Sequence, residues 1–218
     1  MTTPIRLSPI HEHLPRGMWQ MINDMPTLTH VAGASIDRLA ITDRSCLTRF
    51  GVKGAGAAEW LKTQGISVSD RPNTWRSLPD GGIIARLGMS EFLIEDSQRS
   101  RVTPQLAAAC QSLPASVYPV LRQDLAIALS GELVNELLLQ TCSVNFRAFD
   151  LNDRPVVLTT MVGVSVTVVP DDRDGLPFYR IWCDGTFGVY FWRTLVEIVE
   201  ELGGSVIGFA QSEMESTR

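Results

Sequence analysis

The clearest pattern in the chain is a strand that turns on glycine into a helix. Leu47 starts the strand, and Phe50 and Val52 alternate with Arg49, Gly51 and Lys53, the period-2 alternation of a half-buried strand. Gly54 and Gly56 supply backbone freedom for a turn. Ala57, Ala58, Trp60 and Leu61 then open a helix with an apolar face. The pattern returns as Leu125-Ala126-Ile127-Ala128-Leu129-Ser130-Gly131, followed by Val134, Leu137, Leu138 and Leu139. Gly131 stands before Leu138 as Gly54 stands before Leu61.

Each glycine turn sits inside the same order of elements. The first set runs strand 47–52, helix 55–64, hairpin 83–95 and helix 103–112. The second runs strand 125–129, helix 131–140, hairpin 156–183 and helix 185–202. A further strand, 36–42, reads as the neighbour of 47–53. Gly65 ends the first helix. Thr103 is placed to cap the next, with Pro104 at its first position. The β-branched run 156–169 reads as one strand bent at Gly163. Asp184 caps the last long helix, Gly203-Gly204 stops it, and 206–209 reads as a closing edge strand before a polar, frayed tail at 211–218. Strand–helix–hairpin–helix is the split-βαβ grammar. The predicted fold is therefore α+β, a tandem ferredoxin-like pseudo-duplicate with antiparallel sheets. The expected division is an N-terminal arm at 1–30, a first repeat at 31–115 and a second at 116–218, the repeats packed as one folded unit.

The first 29 residues read as irregular, because Pro4, Pro9, Pro15 and Pro26 break any long helix. Ile5, Leu7, Ile10, Leu14, Met18, Trp19, Met21, Ile22 and Met25 make the arm too apolar to be free. It packs on its own domain or on another chain.

Composition narrows the function classes. The 218 residues are 44% hydrophobic, enough for a substantial core. A formal net charge of −5 without a Lys/Arg stripe disfavours nucleic acid. The four cysteines, Cys46, Cys110, Cys142 and Cys183, are widely spaced, which argues against framework disulfides or structural zinc and points to a reducing cytoplasm. No apolar run approaches the roughly 20 residues that span a bilayer, and the N-terminus lacks a signal-peptide pattern.

Asp43-Arg44-Ser45-Cys46-Leu47-Thr48, followed by Val52-Lys53-Gly54, resembles the opening of the glycine-cleavage T-protein (aminomethyltransferase) family. Gly88-Met89-Ser90-Glu91-Phe92-Leu93-Ile94 resembles a second segment of that family. In length and in its second half the chain more closely resembles the gamma subunit of heterotetrameric sarcosine oxidase, a small relative of the same fold. The residues are Arg6-Leu7-Ser8-Pro9, Leu129-Ser130-Gly131, Leu138-Leu139-Gln140-Thr141-Cys142, Asn145, Phe146-Arg147-Ala148-Phe149 and the helix from Phe187 to Leu195.

Three departures bear on what the resemblance implies. The segment Gly81-Gly82-Ile83-Ile84-Ala85-Arg86-Leu87, where the T-protein carries a catalytic Asp, has no carboxylate. Asp172-Arg173-Asp174-Gly175-Leu176-Pro177-Phe178-Tyr179 aligns with the folate-binding run but lacks its final Glu. Cys46 stands where the family has His. A folate pocket uses a carboxylate to hold the pterin edge by charge-assisted hydrogen bonds. Asp43 and Glu91 are the first suspects for a substitute carboxylate. The resemblance therefore implies a non-catalytic accessory subunit of a sarcosine-oxidase-like complex, with FAD, FMN and NAD in partner subunits. The alternatives are a stand-alone tetrahydrofolate-binding or aminomethyltransferase-like protein, and an independent binding module.

The remaining chemistry reads blandly. His11 and His13 are solvated or interface histidines rather than a metal pair, since no third ligand is near. Cys46, beside Ser45 and Asp43, reads as a buried structural cysteine rather than a nucleophile. Asp171, Asp172 and Asp174 read as a solvated hairpin tip. Phe187 and Phe191 suit a core, leaving Tyr190 and Trp192, with Trp19 in the arm, as contacts for a partner.

Overall fold

The computed structural model describes residues 6–34, 38–112 and 114–214. Ile5 of the arm, the expected strand start at Ile36 and the tail at 215–218 lie outside the described residues. In chain order the first elements are β1 (Met18–Ile22), β2 (Met25–His30), β3 (Ala40–Asp43), β4 (Arg49–Lys53), α1 (Ala57–Thr63) and β5 (Thr74–Ser77). Then come β6 (Ile83–Arg86), β7 (Glu91–Glu95), α2 (Val102–Ala109), β8 (Tyr118–Val120), β9 (Leu125–Ser130) and α3 (Val134–Thr141). The chain ends with β10 (Val157–Met161), β11 (Val164–Arg173), β12 (Leu176–Cys183), α4 (Gly188–Glu201), β13 (Ser205–Val206) and α5 (Phe209–Met214).

The architecture is α+β with mainly antiparallel sheets, as expected. The chain forms two compact units, and they are not consecutive. The larger takes 1–46, 124–151 and 158–218, and the smaller takes 47–123 and 152–157. This replaces the expected division at 30 and 115.

In the smaller unit the strand order is β5-β6-β7-β4-β8, antiparallel throughout. Strands β4, β6, β7 and β8 with α1 and α2 follow the split-βαβ order. Phe50, Val52, Trp60, Leu61, Phe92, Ile94 and Leu106 share one core. Arg49, on the polar side of the alternation, is also buried. It pairs with Glu95 across β4 and β7 at 3.4 Å, with side-chain exposures of 2% and 3%. Helix α2 starts at Val102, and its cap is Asp96 rather than Thr103. The Asp96 carboxylate accepts from the amides of Val102 (3.1 Å) and Thr103 (3.0 Å), and from the hydroxyls of Thr103, Thr48 and Ser100.

In the larger unit the order is β10-β11-β12-β9-β3-β13. Strand β3 runs antiparallel to β9 and parallel to β13. The expected neighbours at 36–42 and 47–53 thus lie in different sheets. All six residues of β9 are buried, so both its edges need partners, and β3 supplies the second. A strand from the first half therefore completes the second half's sheet, and the two halves are not separate repeats. The glycine echo does survive as geometry. Gly54 and Gly131 have φ of 119° and 109°, and each carbonyl receives the third amide onward, from Ala57 (3.0 Å) and Val134 (3.3 Å). A side chain on either would strike a backbone carbonyl, that of Ser116 or of Arg38.

Three local expectations change. The run 156–169 is not one bent strand. It turns at Val162-Gly163, with φ of 44° and 82°, separating β10 from β11. The arm is not irregular throughout, because β1 and β2 form a hairpin around Asn23-Asp24, both at positive φ (49° and 59°), the geometry of a two-residue type I′ turn. Its Ile22, Met25 and Leu28 are buried and β2 contacts α5, so the arm packs on its own unit. Finally, the closing edge strand is the two-residue β13, and 209–214 is helical, where the strand's end and a frayed tail were expected. Among the described residues, no helix is long and apolar enough to cross a membrane.

Candidate functional site

The segment that resembles the folate-binding run is the β11–β12 hairpin in the larger unit. It turns at Asp174-Gly175, with φ of 53° and 86°, and the Asp172 carboxylate accepts from the Gly175 amide at 2.9 Å. The register sets Asp171 opposite Phe178 and Val169 opposite Arg180. Three guanidinium groups gather around the Phe178 ring. Arg173 lies 3.4 Å from its centroid, Arg180 5.3 Å and Arg44 5.5 Å. Arg44, just past β3, also lies 5.3 Å from the Phe209 ring of α5.

Two carboxylates answer these cations. Glu213 on α5 accepts from Arg44 at 2.6 Å and lies 3.7 Å from Arg173. Asp171 accepts from Arg180 at 3.4 Å. The cluster thus sets three guanidinium groups beside these two carboxylates. Burial, with the nearby charges of Arg44 and Arg180, pulls the Arg173 guanidinium down to about 10. Burial alone would raise the Glu213 carboxyl. The charge and hydrogen bond of Arg44, with Arg173 and Arg180, outweigh it and hold the group below its ordinary value.

Chemically the cluster is rich in donors, and its two acceptors are committed to arginines. A pterin edge needs the opposite, a carboxylate open to N–H donors. The stretch that resembles the folate-binding run has no Glu and ends at Tyr179. Tyr179 is 3% exposed, and its hydroxyl donates to the Asn135 side chain at 3.4 Å. Burial pushes the phenol's pKa up, so it stays a donor at neutral pH.

The two folate candidates are engaged locally, in different units. Asp43, at the end of β3, accepts from the Ser45 amide at 2.9 Å, while the Ser45 hydroxyl accepts from the Ala126 amide at 3.2 Å. This is a turn that fixes β3 against β9. Glu91 opens β7 and accepts from Arg122 at 2.6 Å.

Of the contact candidates, Trp192 is corrected outright. It is 2% exposed, because α4 buries Phe191, Trp192, Leu195 and Val199 on one face. Phe187, assigned to the core, is 53% exposed instead. Tyr190 is exposed, but its hydroxyl donates to the Val162 carbonyl at 3.0 Å, clasping the β10–β11 turn. Trp19 is 39% exposed and meets His11 edge to face at 5.0 Å. Cys46 is buried. Among the described residues, no group of three or more His, Cys, Asp and Glu is arranged to hold a metal.

The arginine cluster was only partly legible in the sequence. Asp174-Gly175 between β-branched runs signals a tight hairpin, and its register brings Asp171, Phe178 and Arg180 together. Arg44 and Glu213 carry no such signal, since only the tertiary fold brings them near.

No family model matches the chain, and no curated protein matches it in sequence. Solved structures do. The glycine cleavage system aminomethyltransferase T from Bartonella henselae aligns over 98% of this chain with a TM-score of 0.76 and 10% identity. The chain has a T-protein-related fold. It spans 62% of that aminomethyltransferase chain. A chain of the heterotetrameric sarcosine oxidase from Corynebacterium sp. U-96, in complex with pyrrole 2-carboxylate, aligns over 90% of this chain and 96% of its own length. Its TM-score is 0.66 and its identity 17%. Within the T-protein-related fold, Arg173, Arg180 and Tyr179 lie on the hairpin that the resemblance links to folate.

Proposed function

We propose that this chain is a non-catalytic accessory subunit of a sarcosine-oxidase-like complex, one that oxidises N-methyl amines in one-carbon metabolism. FAD, FMN and NAD belong to the partner subunits. The observation that carries this reading is the nearly coextensive alignment with one chain of a heterotetrameric enzyme, 90% of this chain against 96% of the other. The chemistry of the β11–β12 hairpin supports it, because Asp171 is bound to Arg180, Asp172 accepts from the hairpin's own turn, and the expected final Glu is missing. Trp19, with exposed Met18 and Met21 along β1, and Tyr190 would be the contact residues.

A second reading, a stand-alone tetrahydrofolate-binding or aminomethyltransferase-like protein, is favoured by the TM-score of 0.76 to the aminomethyltransferase. Titration of the purified chain with tetrahydrofolate, followed by calorimetry, separates the two. The expected result is no saturable heat at micromolar ligand. Saturable binding there, weakened by Asp43→Asn or Glu91→Gln, would overturn the accessory reading in favour of the second. Purification from the native cell tests the first directly. The chain should elute with flavin-absorbing partners, and a lone chain would refute the assignment.

A further inference from the structure

The smaller unit holds an open cleft of about 470 Å³ lined by Ser69, Arg71, Thr74, Trp75, Arg76, Ser77, Asn152, Asp153 and Arg154. We propose that it binds a small phosphorylated molecule through its phosphoryl group.

Three guanidinium groups line the cleft, against one carboxylate. Arg71 is ion-paired with that carboxylate, Asp153, at 2.9 Å. The other two have no carboxylate partner among the described residues. Arg76 donates only to the Ser67 hydroxyl, at 3.4 Å. Arg154 donates to the Ser77 hydroxyl at 3.3 Å and stacks 5.0 Å from the centre of the Trp75 ring. A guanidinium has five N–H donors in a planar fork, so most of the donors on Arg76 and Arg154 are uncommitted and face water. Elsewhere in the chain, Arg44, Arg49, Arg122, Arg147, Arg173 and Arg180 each have an acidic partner. Arg76 and Arg154 thus present uncommitted donors together on one concave polar surface.

The walls of the cleft are held in place without a ligand. On one side, Arg86 donates to the carbonyls of Ser69 (2.7 Å) and Asp70 (3.0 Å). The Thr74 hydroxyl ties to Ser69 (2.6 Å) and to the Arg71 carbonyl (2.7 Å). On the other, 152–157 pairs with the edge of β5. The Trp75 amide donates to the Arg154 carbonyl at 2.9 Å, and the Val156 amide to Asn73 at 2.8 Å. Fixed walls spare a ligand the cost of ordering them. Guanidinium forks match phosphate oxygens two at a time, and the hydroxyls of Ser69 and Ser77 add donors beside them. The volume exceeds that of a bare phosphate and falls within the range of small-molecule sites, so an organic phosphate fits better than the free ion.

The test is calorimetric titration of the full chain with glucose 6-phosphate and with inorganic phosphate, at fixed ionic strength. Arg76→Gln/Arg154→Gln should raise the dissociation constant for glucose 6-phosphate ~10-fold or more. Arg193→Gln, an exposed change on α4, should leave it unchanged. Arg76→Gln alone, which touches only Ser67, guards against a folding defect and should give a smaller loss in the same direction. Tighter binding of glucose 6-phosphate than of phosphate supports an organic phosphate, and equal binding supports the free ion at the same site. No saturation by either probe below ~10 mM, or equal loss in the double variant and in Arg193→Gln, would overturn the proposal.

Discussion

Glu213→Gln is the most informative perturbation of the arginine cluster. Glu213 accepts from Arg44 at 2.6 Å, and their side chains are 33% and 5% exposed. The amide would keep the shape and remove the charge. Arg44 and Arg173 would then lose the charge of the carboxylate they share. At an effective dielectric near 20, a pair at about 4 Å is worth about 4 kcal/mol. Exposure of Glu213 and the amide's residual hydrogen bond reduce this to about 2–3 kcal/mol. For a chain of this size that lowers the melting temperature by roughly 4–12 °C. Urea denaturation followed by tryptophan fluorescence measures the loss. The pH dependence is fixed in sign. The Glu213 carboxyl lies below its ordinary value of 4.5 when folded. Its stabilisation is therefore present above that value and fades as pH falls through the folded pKa, and the variant lacks this acid-side decline. Combining Glu213→Gln with Arg44→Met removes the buried cation as well and should recover much of the loss. A cost below about 0.5 kcal/mol, or strictly additive losses in the double variant, would refute the account of the cluster as an ion-paired clamp.

Two further outcomes follow from burial. Trp192→Ala should cost about 3–5 kcal/mol, as expected of a fully enclosed aromatic, whereas Trp19→Ala on the outer side of β1 should cost about 1 kcal/mol or less. Equal midpoints in denaturant would contradict the exposures of 2% and 39%. Burial, with Asp124 and Asp184 nearby, pushes the Cys183 thiol from its ordinary 9.0 up to about 12. Iodoacetamide at pH 8 should leave Cys183 unlabelled until the chain unfolds. The neutral thiol's contribution to stability should be complete below pH 9 and lost between about 9 and 12. Rapid labelling of Cys183 in the folded chain would show the burial to be wrong.

Local pattern alone determined a good deal of this protein. The alternation around Phe50 and Val52, the helix faces at Trp60-Leu61 and Leu137-Leu138, and the glycines at 54 and 131 specify elements by contacts within a few residues. These elements form where expected. Asp184 accepts from the Thr186 amide at 2.8 Å, but it caps the short 3-10 turn Gly185–Phe187 that leads into α4 and not α4 itself, whose own start has no side-chain cap. The resemblance to the T-protein also rests on such segments, and the fold agrees with it.

Long-range pairing decided the rest. Ala40 and Ile41 would suit either sheet by pattern. They joined β9 because a strand buried at all six positions must satisfy two edges, and this interleaved the compact units. Trp192 and Phe187 are both aromatic and both near the start of α4, and only the rotation of the helix against its sheet separates the buried one from the exposed one. The arginine cluster needs residues 44, 173, 180 and 213 at one place. No spacing along the chain encodes that meeting, since charge balance in a buried site depends on distance in space and not on distance in sequence.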